Sequence, residues 1–407
     1  MKLCITIACF LIALMLNAQE FICGNDNQLV PLKSTNCTNW DIYSPVNPND
    51  TPIKTIRITF HVIQKNDGTG NFPDNATSRN WLQSLVVSIN GKFGNLEEMN
   101  LPTSSPHVTD SRIQFSLANI YFWQDDYGWS FQLSDSFGDY LHNKFVTNQP
   151  NVAFKNNSIH IFMSEDDIGH GQASDFGDKS WIITSGTYAS YLNNNSWDPT
   201  NNISHELGHN CGLYHTWLGS DGCNDTPNNP NCWNINEPNN GQCTIPSNNL
   251  MDYNACKCAL TICQVNRMHF YLLGGAGNIS DCVVNSVSIQ NPTIVGNDLV
   301  CSSGASYSLA NLQLGVTSTW NTSPISFFQN NSGCGNSASI LPISSSTGGP
   351  GQIIFSFDWQ KYGSSSTSKN FGLEKSVNLS YVILIEKLIK QIIFFRQEFH
   401  VNLQVRL

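Results

Sequence analysis

The chain has 407 residues, room for two ordinary domains, with 40% apolar residues, only 12% charged ones and a net charge of −10. An acidic chain with no basic stripe speaks against a nucleic-acid partner. Its polar surface is built from Asn, Ser and Thr rather than from Lys and Glu, as is common in exported proteins.

Residues 1–18 read as a secretory signal peptide: Lys2 gives a positive start, Leu3 to Leu16 is almost wholly apolar, and Ala18 is a small residue for cleavage. Residues 19–52 are polar, turn-rich and carry Cys23 and Cys37, the pattern of a leader or pro-segment. Either these cysteines pair with each other, or one supplies a thiolate that keeps the chain latent. No later segment reaches about 18 consecutive apolar residues, so the mature chain is expected to be soluble and extracellular. Without Cys4 and Cys9 an even number of cysteines remains. Seven crowd together (Cys211, Cys223, Cys232, Cys243, Cys256, Cys258, Cys263), and an oxidising compartment makes disulfides their default use.

Thr55 to Ile63 alternates as a first core strand, and Arg79 to Phe93 carries a helical apolar stripe. Arg112 to Phe122, Ser158 to Met163 and Trp181 to Thr184 read as further strands, and Thr200 to Asn210 turns helical. This order predicts an α+β fold, a layer of sheet with a histidine-bearing helix against it. After about Ile279 the composition shifts to Ser, Gly, Thr and Asn with turn signals every ten or so residues. That predicts a small β-sandwich over 286–372, with Cys301 and Cys334 placed to tie it together. The tail, 373–407, contains the apolar but charge-broken run Tyr381 to Phe395. It reads as an amphipathic helix, a last strand pair, or sequence that did not evolve with the rest, as after a frameshift.

The chemistry concentrates in "ISHELGHNCGLYHTW", Ile203 to Trp217, in a chain with only 10 histidines. His205 and His209 are four apart, so on a helix they share a face and can grip one metal ion. Imidazole suits Zn²⁺, and Glu206 beside the first ligand is placed to act as general base toward a water on the metal. Gly212 lets the chain leave the helix, which would return His215 as a third ligand. Three protein ligands leave a fourth position for water, the pattern of a catalytic zinc. A surface helix with coincidental histidines does not explain the fixed offsets of the glycine and third histidine. A structural zinc would draw on cysteine pairs, which Cys256-Lys257-Cys258 is too tight to provide.

HExxHxxGxxH is the signature of the metzincin metalloproteases. With "GCNDTP" at Gly222 to Pro227 and "NNLMDYNACKC" at Asn248 to Cys258, the chain resembles the pappalysin branch, which includes the cytophagalysins and ulilysin-like enzymes. The resemblance implies a metzincin catalytic domain over 53–280: a twisted mixed sheet above the active-site helix, and an irregular lower half. It implies one catalytic Zn²⁺ held by His205, His209 and His215, with Glu206 as general base. It makes Met251 the Met-turn methionine under the metal and Tyr253 a hydrogen-bond partner of the tetrahedral intermediate. The strand at Trp181 to Gly186 would be the exposed edge on which an extended peptide pairs. The segment with "VGNDLVCSSGASYSLANL" resembles Ig-like modules attached to secreted enzymes of Bacteroidetes-type bacteria, which implies a bacterial origin and a surface or carbohydrate contact for that module.

Where better-known relatives carry acidic groups after the Met-turn, this chain has Asn254, Ala255, Cys256 and Lys257, so cutting beside Arg or Lys is not expected. Asp221 and Asp225 are oxygen donors in a loop where some relatives hold Ca²⁺; they read equally well as solvated carboxylates. The leading expectation is thus a secreted zinc endopeptidase acting on protein or peptide substrates. The competing one is a surface-binding or adhesive protein on an inactive protease scaffold, which would need neither Glu206 nor all three histidines.

Overall fold

A computed structural model describes residues 22–23, 47–100, 107–165, 169–175, 177–178, 180–193, 199–216, 221–226, 247–253, 257–285, 288–301, 303–343 and 348–373. The expected signal peptide, most of the expected leader and the tail after Leu373 lie outside them. The first part of the chain forms a six-stranded sheet from β1 (Ile22–Cys23), β2 (Lys54–Gln64), β3 (Ile113–Gln124), β4 (Ile159–Met163), β5 (His170–Ala173) and β6 (Trp181–Thr184). Their spatial order is β1-β5-β6-β4-β2-β3. Four strands run parallel, β6 with β4, β4 with β2 and β2 with β3, while β5 is antiparallel to β6. The mixed α/β sheet agrees with the predicted layer.

β2 is internal to the sheet, and both its faces are covered. Ile56, Ile58, Phe60 and Val62 enter one apolar core, and Ile63 enters a second core on the opposite face. Helix α1 (Ala76–Gly94) closes the first face with Leu82, Leu85, Val86, Ile89 and Phe93, most of the stripe legible in the sequence. Asn75 caps it by accepting from Ser78 N at 2.9 Å. Helix α2 (Asp135–His142) closes the second face through Phe137 and Leu141. Helix α3 (Thr187–Asn193) follows β6. Helix α4 (Pro199–Asn210) then runs beneath the sheet against β5 and β6, with nearly every residue buried although two thirds are polar. Helix α5 (Ile262–Leu272) completes the lower half behind a Thr261/Gln264 capping box.

The expected substrate edge is corrected here. β6 is internal, and β5 is the strand beyond it. On the outer side of β5, Ile22 and Cys23, from the segment expected to be a leader, pair in parallel with His170 and Gly171.

The C-terminal region is β-rich, as expected. A five-stranded sheet (order β11-β10-β13-β14-β8) and a three-stranded one (β12-β9-β7) are built from β7 (Thr293–Gly296), β8 (Leu299–Val300), β9 (Ala305–Ala310), β10 (Thr317–Ser323), β11 (Ser332–Cys334), β12 (Ser337–Ile340), β13 (Gly349–Asp358) and β14 (Ser364–Leu373). Both contribute to one core that includes Tyr307, Leu309, Trp320, Phe355 and Phe357. Of the two cysteines expected to tie this region together, Cys334 is in a disulfide.

The two parts of the chain exchange apolar side chains. Leu314, from the β-rich region, is fully buried in the core beneath the six-stranded sheet, and Leu273, just past α5, belongs to the core of the β-rich region. Leu314 N donates to Thr51 Oγ1 at 2.8 Å and Gly315 N to Asn266 Oδ1 at 2.6 Å. At Gly315 (φ 82°) a Cβ would lie 2.4 Å from the backbone of His269 and Phe270, so only glycine permits this approach. Leu314→Ala in the full chain is expected to cost about 2–5 kcal/mol in urea unfolding.

Near this seam Lys54, 3% exposed, places Nζ 2.6 Å from His269 Nδ1, while His269 Nε2 donates to Ser111 O at 2.7 Å. Burial lowers Lys54 from its ordinary 10.5 to about 7. Between those values the unfolded chain binds the extra proton, so Lys54 adds stability as pH rises from 7 toward 10.5 and its burial cost is fully felt below 7. Lys54→Met should remove that part of the rise in Tm, measured by thermal melts at pH 7 and pH 9.5.

Candidate metal centre

Helix α4 presents His205 and His209 on one face, one turn apart, as their spacing requires. The chain turns out at Gly212, whose φ is 93° and whose Cβ would lie 2.4 Å from the Tyr271 ring. Both the dihedral and the close approach demand glycine there. Arg267 on α5 fixes the turn, donating from Nε to Gly212 O at 2.7 Å and from Nη1 to Asp221 O at 2.6 Å. The disulfide Cys223–Cys263 ties the following loop to the same helix. His215 is thereby returned to the helix face: its Nε2 is 3.0 Å from His205 Nε2 and 3.1 Å from His209 Nε2.

The tautomers follow from the other ring nitrogens. His205 Nδ1 lies 2.8 Å from Leu250 O and His209 Nδ1 2.8 Å from Leu213 O. A carbonyl only accepts, so each Nδ1 carries the proton and each Nε2 turns a lone pair inward. Burial is the first cause that holds all three imidazoles in the neutral form, with His209 near 3 and the other two well below their ordinary value. Three neutral ring nitrogens converging at this spacing suit a cation. Nitrogens bound tetrahedrally to zinc at about 2.0–2.1 Å stand about 3.3 Å apart. The residues therefore fit a single Zn²⁺.

The remaining predicted residues gather at the same place. Met251 is fully buried under α4; a Cβ on Gly208 would lie 2.4 Å from its Sδ, so the glycine inside the motif lets the helix rest on the methionine. Met251 N donates to Asn249 Oδ1, and Asn249 pairs with Gln264 on α5, which fixes that turn. The Tyr253 ring stands 5.3 Å from His215 and 6.0 Å from His205. Glu206 is fully buried, against β5 at Gly171.

Asp221 and Asp225 are engaged by neighbours in their own loop and in α5. Asp221 accepts from Thr226 Oγ1 and Cys223 N, Asp225 accepts from Cys263 N, and the sulfurs beside Asp225 are joined in the Cys223–Cys263 disulfide.

Three contributors were not foreseen. Lys257 is buried, with Nζ bonded to Asp252 O and 3.1 Å from His205 Nδ1; a lone lysine in a loop carries no signal for such a place. Arg267 was likewise silent. Asn202 was legible, since it stands four residues before Glu206 and hence on the same helix face.

Three neutral imidazoles converging on one point form a candidate site for a single metal ion, with the Glu206 carboxylate on the same helix. Residues 170–272, from β5 to α5, match the M43 peptidase family, described as pregnancy-associated plasma protein-A. The match supports a zinc metallopeptidase of the pappalysin type within the metzincins and implies zinc for the triad. No curated protein matches the chain. Among solved structures, the crystal structure of wild-type OgpA from Akkermansia muciniphila is 12% identical, covering 85% of this chain and 97% of that one at a TM-score of 0.29. A likeness that loose carries no argument. The purified chain is expected to bind one zinc, and His209→Ala or His215→Ala to weaken binding at least about tenfold, measured by competition with a chromogenic chelator.

Proposed function

We propose that the chain is a secreted zinc endopeptidase that hydrolyses peptide bonds of extracellular proteins. The convergence of His205, His209 and His215 Nε2 carries this reading, with Glu206 on the same helix. Zinc, when bound, supplies the Lewis acid that polarises water and the scissile carbonyl. The chain does the rest. The three imidazoles hold the metal as neutral ligands. Glu206 takes the proton from the attacking water on its carboxylate and delivers it to the leaving amine. The Tyr253 hydroxyl donates to the oxygen on which negative charge develops. Met251 fills the space beneath the triad and keeps water from it.

Substrate would pair with β5, whose outer side is the sheet's edge once the leader is gone. The position of Ile22–Cys23 on that edge favours the leader as a device of latency, since backbone pairing there competes with an extended peptide. Export follows from the signal sequence 1–18, and the β-rich region is read as the Ig-like β-sandwich attached to a bacterial enzyme.

The deciding experiment measures casein cleavage by the full exported chain, before and after removal of residues 19–46, which spares the buried Thr51, with and without chelator. Cleavage should need the metal, rise on leader removal and fall at least about a thousandfold in Glu206→Ala. Equal cleavage by wild type and Glu206→Ala would sink the mechanism. Zinc bound without cleavage would favour the adhesive scaffold.

A further inference from the structure

We infer that Asn202 is a positioning residue: it clamps strand β5 onto helix α4 and confines the Glu206 carboxylate to the side facing the histidines. This rests on the reading of Glu206 as general base. Asn202 is 1% exposed and one turn before Glu206. Its Nδ2 donates to His170 O on β5 at 2.7 Å and to Thr184 Oγ1 on β6 at 2.9 Å. Because His170 O only accepts, the amide has one orientation, and both its hydrogens are engaged.

Its Oδ1 must therefore face the other way, where it is buried and meets no donor among the described residues. What it does meet is Gly171. A Cβ built there would lie 2.3 Å from Asn202 Oδ1 and 2.7 Å from Glu206 Oε1, so the two oxygens flank one point and are at most about 5 Å apart. An unpaired buried acceptor is unfavourable, and such groups in native folds call for a reason. Here two acceptors repel across the space that Gly171 leaves open. The repulsion closes one side of that space to the flexible glutamate and leaves it the side of His205, His209 and His215. The clamp also fixes the height of β5, on which a substrate backbone would lie, so one side chain sets the base and the substrate strand in a common frame.

A buried asparagine that only staples strand to helix would lower Tm without touching turnover, and the test separates the two. In the full chain with the leader removed and zinc loaded, Asn202→Ala is expected to keep one zinc and hold KM for labelled casein within about twofold, while kcat falls at least about tenfold. Should that variant fail to fold, Gly171→Ala keeps the Asn202 side chain but crowds both oxygens, and the same split is expected. Unchanged kcat in either folded variant, or a rise in KM alone, overturns the link to Glu206. Hydrogen exchange reads the clamp without any activity: residues 170–173 should exchange faster in Asn202→Ala, and unchanged exchange overturns it. A wild type that does not cleave, with faster exchange in the variant, refutes the peptidase reading and the role toward Glu206 while leaving the clamp standing.

Discussion

Two backbone carbonyls set the candidate site. Leu250 O and Leu213 O take the Nδ1 protons of His205 and His209, and that choice alone turns two lone pairs into the space between the rings. An imidazole free to rotate would present either nitrogen, and burial alone would favour neutrality without direction. The two carbonyls come from opposite sides, Leu213 from the turn just past the helix and Leu250 from a distant segment. The triad is therefore correct only when the helix, its exit turn and the methionine segment are all in place. Much of the lower half serves that assembly: Arg267 grips the exit turn, Gln264 and Asn249 brace the methionine segment, and the Cys223–Cys263 bridge joins the loop between them to α5.

Small residues make the assembly compact. Gly208, Gly212 and Gly171 each mark a place where another element enters the volume a side chain would occupy: Met251, Tyr271, and the pair Asn202 and Glu206. Helix α4 is thus pressed from below, at its end and from above, which is how a polar segment comes to be buried along nearly its whole length. Its polar groups are tolerated because the sheet supplies partners, as His170 O and Thr184 Oγ1 do for Asn202.

The sequence revealed what repeats at short range. The α1 stripe, the β2 alternation and the i, i+4 histidines are local patterns, and the structure places these elements within a few residues of their expected bounds. Gly212 as an exit was readable because only the left-handed region permits the turn. Long-range choices were not readable. Assigning the edge to the segment at Trp181 failed because a four-residue strand, His170–Ala173, with a glycine and a glutamine inside it, has too little apolar alternation to announce itself. Lys257 and Arg267 are drawn to the centre by partners far along the chain, and no spacing rule reaches them. Cysteine partners follow from three-dimensional register rather than from neighbourhood in sequence, as the bridge from Cys223 to Cys263 shows.

Leu314 and Leu273 each lie in the other part's core, and this bears on how such a chain can have arisen and can change. Modules that meet through a flexible linker can be shuffled between genes, because neither loses buried surface when the other is replaced. Here each part completes the other's interior. A recombination event that exchanged the β-rich region for an unrelated one would leave a hole beneath the six-stranded sheet and a bare leucine after α5. The two parts are therefore constrained to be inherited as a pair, and substitutions on one side of the seam should be matched by substitutions on the other.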